Sequence, residues 1–251
     1  MVTVVGPICE SADVLARDRK HPLDHYVIQR DRLSDERQVL RLLAQLFRDA
    51  VELAERFGTP VIVLDKGTLE NRARSFSSVL DPSRVYYAGK ALCCVAVLEV
   101  VKELGLGLDV CSGGELTTAL AADFPTERII FHGNNKSPME LDMARDAGVG
   151  RIVVDSYEEI ERIAEAKVET KLLIRVTPGV EAHTHEFVQT GQEDSKFGFS
   201  LADGIAMEAL RRANEVPGCT LTGVHAHIGS QIFEMSAFEL AIQRLASFLA
   251  A

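Results

Sequence analysis

Lys90, in RVYYAGKA, closes an apolar run, with Ala88 and Gly89 before it and Ala91 after it. A lysine so placed either reaches past a strand end into solvent or, held back from water, becomes a nucleophilic amine of the Schiff-base type. In GVHAHIGSQ, His225 and His227 stand two residues apart, so both imidazoles leave a strand on one face. No Cys or carboxylate accompanies them at ligand spacing, so no metal is expected, and the sharper reading is an imidazole stacked on a flat cofactor. Gly229 and Ser230 follow and could offer backbone and hydroxyl donors to a phosphate. Ser112, Gly113 and Gly114, with Glu115 next, fit a tight turn into a capped helix. Near the amino terminus, VVGPICESADVLARD sets Cys9 beside Glu10, a thiol and a carboxylate built like a piece of an active site.

These residues need a scaffold, and the chain is long enough to supply one. At 251 residues with 47% hydrophobic content it can bury a real core. A formal charge of −10 argues against a nucleic-acid surface, which needs clustered Lys and Arg, and points to small-molecule chemistry. No run of 18 apolar residues and no basic stretch before an apolar one occur, so neither a membrane span nor a signal peptide is expected and the protein reads as cytoplasmic. Cys9, Cys93, Cys94, Cys111 and Cys219 are odd in number and lack C-x-x-C spacing, which suits reduced thiols acting singly.

Residues 35–57 carry Leu40, Leu43, Phe47, Val51 and Ala54 at helical spacing, with Ser34 as N-cap and Gly58 as a stop. The runs PVIVLD, RVYYAGK, GLDVCSG, RIIFHG, RIVVDS, KLLIRVTP and LTGVHAHIG then alternate with amphipathic segments. Continuous apolar strands separated by helices predict a parallel sheet covered on both faces. Polar and Gly-rich residues gather where the strands end: Lys90, Ser112–Gly114, His132–Lys136, Pro178 with Gly179, and His227–Gln231. That edge is the catalytic face of a (β/α) barrel, and no G-x-G-x-x-G turn follows the first strand as an open doubly wound sheet would require.

Taken in order, YYAGKA, LDVCSGGEL, HGNNKS, VTPGVEAHTHEF, KFGFS and HIGSQIF, over roughly residues 59–251, resemble the diaminopimelate decarboxylases, pyridoxal-phosphate enzymes of the alanine-racemase-like barrel fold. The resemblance implies that Lys90 is the Schiff-base lysine, that His227 stacks on the pyridine ring and that Ser230 meets the cofactor phosphate. Asp109 and Arg175 match positions that shape the floor of the cofactor site. The CESAD block, Cys9 to Asp13, resembles one that the family carries near its carboxyl end, where the Cys donates a proton and the Glu faces the substrate in the partner's site of a homodimer. Here it precedes the barrel, with Ala12 where the family has Gly.

The expected architecture is therefore α/β: a segment at residues 1–20 resembling the family's C-terminal domain block, a helix at 35–57, and a pyridoxal-binding barrel at 59–251. About six of the eight barrel strands are expected, because the matched blocks stop at the helix after the sixth and no G-G-G or E-P-G-R occurs. A permuted chain, a truncated one and one that lost its second half all fit that pattern. Open sheet edges would call for dimerisation or a complementing fragment. The expected activity is decarboxylation of meso-diaminopimelate to L-lysine. The alternatives are an inactive barrel fragment or partner-binding subunit, and a related decarboxylase or racemase with another amino-acid substrate.

Overall fold

A computed structural model describes residues 49–60, 62–180, 197–229 and 235–250. Residues 49–57 are helical, the described part of the helix expected at 35–57, and Gly58 donates its N–H to the Ala54 carbonyl at 2.9 Å as the helix ends. Helix α1 (Lys66–Ser77) follows, its N-cap Asp65 accepting from Thr68. The run PVIVLD is not a strand: Pro60 and residues 62–65 are irregular. Pro60 has no N–H to give a ladder, and Asp65 is already committed to capping the next helix.

From there strands and helices alternate: β1 (Tyr86–Ala88), α2 (Val95–Glu103), β2 (Gly107–Val110), α3 (Gly113–Ala121), β3 (Ile129–Phe131), α4 (Pro138–Ala147), β4 (Arg151–Val154), α5 (Tyr157–Glu165), β5 (Lys171–Thr177), β6 (Phe199–Ser200), α6 (Ile205–Asn214), β7 (Thr220–His225) and α7 (Met235–Ala250). Every strand pairing is parallel. The sheet runs β1-β2-β3-β4-β5 and then continues to β7, with the two-residue β6 on the end of β5. This is the expected partial barrel, six principal strands long and not closed among the described residues.

Alternation sorts the strand residues onto two faces. Leu108, Val110, Ile129, Phe131, Ile152, Val154, Leu172 and Ile174 are fully buried on the outer face, against Leu98, Leu116, Leu141 and Ile163 of the helices. Parallel register places Ala88 beside Asp109, Asp109 beside Ile130 and Arg175 beside His225, so the inner face carries the polar groups.

One turn is too tight for any side chain. A Cβ on Gly150, before β4, would sit 2.1 Å from the Glu127 carbonyl oxygen, while Gly150 N donates to Thr126 at 2.9 Å. Backbone cannot yield as a side-chain tip does, so Gly150→Ala should cost about 1–3 kcal/mol of unfolding free energy. A urea midpoint equal to that of the parent chain would show that the turn relaxes freely.

Candidate active site

The turns that follow β2 and β4, and the loop before α4, share one local device. Ser112, Ser137 and Ser156 are the N-caps of α3, α4 and α5, and each hydroxyl accepts from the N–H of a glutamate three residues on. Each glutamate then reaches back. Oε2 of Glu115 accepts from Cys111 N at 2.5 Å, that of Glu140 from Ser137 N at 2.9 Å, and that of Glu159 from Asp155 N at 2.7 Å. A Ser-x-x-Glu spacing thus starts each helix and pins the backbone just before it. The turn read at Ser112–Gly114 is such a capped start: Gly113 N donates to Glu140 Oε1 at 2.7 Å.

At the same edge the inner-face side chains meet. His132 Nδ1 lies 3.5 Å from Asp109 Oδ2, and its Nε2 lies 3.4 Å from an Arg175 guanidinium nitrogen. The His132 and His225 rings pack edge to face with centroids 4.5 Å apart. Arg175 is held at 3.0 Å by Asp155, whose other oxygen accepts from Gly198 N, and its guanidinium stacks 4.4 Å from the Phe197 ring. Below this layer Lys136, 2% exposed, pairs with Glu159 at 2.7 Å and donates to the carbonyls of Gly133 and Val153. Two buried polar atoms of the layer, Asp109 Oδ1 and His225 Nδ1, meet no hydrogen-bond partner among the described residues.

Lys90 sits in the 3-10 turn Gly89–Ala91 directly after β1, and its side chain is exposed. Of the two readings of its position, the structure shows the solvent-reaching one: the turn tips the lysine over the open strand end instead of packing it. His225 is the last residue of β7, and His227 lies two residues past it. Burial lowers the His227 imidazole pKa, with Lys90 the next contributor and Arg175 after it. Burial, His132 and Arg175 push His225 down to about 4. Burial, Asp109 and Glu115 push the Cys111 thiol up to about 11.

Cys9, Glu10 and Ser230 lie outside the described residues, as do Ala12, His183 and His185. Asp109, Arg175 and Lys90 stand on the common edge. Reading by residue type named Cys111 only among the reduced thiols, passed over Asp155, and grouped His132 and Lys136 without roles. The Ser-x-x-Glu repeat was the available signal for the buried Glu159, and through it for its neighbours.

His225 gives a pH signature. Its folded pKa, about 4, lies below the ordinary imidazole value of 6.5. Between those values the unfolded chain binds the extra proton, so stability is complete above about pH 6.5 and falls as pH drops toward 4. The slope from this group is at most about 1.4 kcal/mol per pH unit. Urea unfolding at stepped pH should give a flatter profile for His225→Asn over that window; parallel profiles would assign the slope elsewhere.

The fold is a partial α/β barrel whose polar side chains gather at the carboxyl ends of its parallel strands, the edge that carries the ligand site in barrels of this kind. The chain belongs to the pyridoxal-dependent decarboxylases, matching the family's pyridoxal-binding domain over residues 66–251. It is 50% identical over 202 residues to the diaminopimelate decarboxylase of Actinosynnema pretiosum subsp. auranticum, covering 80% of this chain and 46% of that protein. The enzyme of the same name from Bacillus methanolicus is 49% identical over 205 residues, covering 78% of this chain and 48% of that one. The crystal structure of diaminopimelate decarboxylase from M. jannaschii in complex with L-lysine superposes with a TM-score of 0.68 at 33% identity, covering 79% of this chain and 49% of that one. The chain therefore spans about half the length of the relatives it matches. No described helix is long and apolar enough to cross a membrane.

Proposed function

We propose that this chain is the pyridoxal-phosphate-holding part of a decarboxylase that converts meso-diaminopimelate to L-lysine in lysine biosynthesis, working as a cytoplasmic homodimer. The observation that carries the reading is the single edge on which Lys90, Asp109, Arg175 and His227 converge, in a chain about 50% identical to diaminopimelate decarboxylases. These groups fit the cofactor. An accessible amine suits an aldehyde, the cations Lys90 and Arg175 suit a phosphorylated ring, and the orphaned Asp109 Oδ1 lacks a donor.

Bound pyridoxal phosphate supplies a sink for the electron pair left when the substrate carboxylate departs as carbon dioxide. In this reading Lys90 would hold the cofactor through its amine, and His227, whose imidazole pKa is lowered chiefly by burial, would stack on the ring. Gly229 and Ser230 would serve the phosphate. Arg175, fixed by Asp155 and Phe197, shapes the floor with Asp109 and His132. Cys9 of a neighbouring copy would return the proton to the substrate carbon, and Glu10 would serve the substrate.

The test is incubation of the full chain with pyridoxal phosphate and meso-diaminopimelate, with L-lysine and carbon dioxide measured. L-lysine supports the proposal, and a different amine from a small amino-acid panel would replace the substrate. Pyridoxal uptake with no product from any substrate would favour a binding role without turnover.

A further inference from the structure

We propose that Asp109, Cys111 and His132 form a binding site for one borderline-soft divalent cation, of the Zn²⁺ and Co²⁺ class. Their ligating atoms lie within 4.8 Å of one another, and the three side chains come from the ends of two adjacent strands. Asp109 and Cys111 are two apart on β2 and its extension, so they share a face, and the ladder continues past β3 through His132 N donating to the Val110 carbonyl at 2.7 Å. The donors belong to the framework of the sheet and not to a loose surface cluster.

The donor chemistry selects the ion. Thiolate sulfur, imidazole nitrogen and carboxylate oxygen make a mixed set suited to Zn²⁺ or Co²⁺ and poorly suited to Mg²⁺ or Ca²⁺, which take oxygen ligands. Tetrahedral ligands at roughly 2.0–2.3 Å from zinc stand roughly 3.3–3.8 Å apart, so side-chain rotations that close the set by about 1 Å suffice. Asp109 Oδ1 is buried and unpartnered, and the equally unpartnered Nδ1 of His225 belongs to the ring packed on His132. Lys90, Lys136 and Arg175 oppose a cation here. Two anionic ligands, the Asp109 carboxylate and the Cys111 thiolate formed as the ion displaces the thiol proton to solvent, offset that repulsion.

Sequence spacing hid this set, because the imidazole of His132 arrives from the strand that neighbours the one carrying Asp109 and Cys111. The site stands without the decarboxylase reading. One consequence does rest on that reading: Asp109 would serve both ligands, so the ion and pyridoxal phosphate should exclude each other.

The experiment is Co²⁺ titration of the full chain freed of pyridoxal phosphate, followed by absorption spectroscopy, with Zn²⁺ displacement as the second readout. One ion per chain with a thiolate-to-cobalt charge-transfer band is expected. Cys111→Ser should abolish the band, and Asp109→Asn should keep it while weakening binding tenfold or more. Cys219→Ser, whose thiol faces the Val168 carbonyl instead, should change nothing. Far-UV circular dichroism checks that each variant is folded; should Cys111→Ser not fold, the Asp109→Asn affinity and its band decide. Absence of saturable binding, or a charge-transfer band that survives in folded Cys111→Ser, would overturn the site. Undiminished Co²⁺ binding in saturating pyridoxal phosphate would overturn the competition and leave the site standing.

Discussion

Lys90→Ala is expected to lose all pyridoxal that borohydride can fix to the chain. The cofactor aldehyde needs an amine that is accessible and free to lose a proton. Lys90 stands exposed on its turn over the mouth. The other lysine of the edge, Lys136, cannot take over: its side chain is 1% exposed, and its ammonium is held by Glu159, Gly133 and Val153. Lys90→Arg should behave like the alanine variant, because guanidinium keeps the charge and lacks the nucleophile. Mass spectrometry of the reduced, digested parent chain should find the pyridoxyl group on the peptide containing Lys90. A label on another lysine, or one retained in Lys90→Ala, would remove the residue from its proposed role.

Asp155→Ala should cost about 3–5 kcal/mol of stability, since it leaves the Arg175 guanidinium charged and unpaired at 7% exposure. The loss has a second component, because Asp155 Oδ1 also accepts from Gly198 N and so anchors the chain entering β6. The double variant Asp155→Ala/Arg175→Met should recover part of the cost, as removing both partners of a buried pair is far milder than removing one. Urea unfolding measures all three. A single-variant loss below about 1 kcal/mol would mean that the pair is not what holds Arg175.

The alternation of apolar runs with amphipathic segments made the parallel sheet legible, because a strand covered on both faces must be apolar throughout. The strand ends were legible for the same reason: polar residues such as Lys90, Ser112 and His227 stand where the apolar runs stop. PVIVLD shows the limit of that reading. Its apolar content suits a strand, yet a strand exists only with a ladder partner, and Pro60 and the helix cap at Asp65 leave these residues none. Lys136 shows another. Its type favours solvent, and only a glutamate 23 positions on in the chain, brought underneath it, makes burial tolerable.

By itself the sequence determined the order of strands and helices, the polar edge and the Ser-x-x-Glu helix starts, all of which depend on neighbours a few residues apart. Tertiary structure decided which side chains share the site. Leu221 pairs with Leu172 and Gly223 with Leu173, so Thr222 is an extra residue in β7, accommodated by Gly223 at φ 149°. In strict alternation Leu221 and His225 would share a face. The bulge breaks that parity, letting Leu221 and Val224 both pack on the core while His225 turns inward beside Arg175. A period of two residues is a local property, but its phase is set by the partner strand, and a one-residue bulge inverts everything downstream of it.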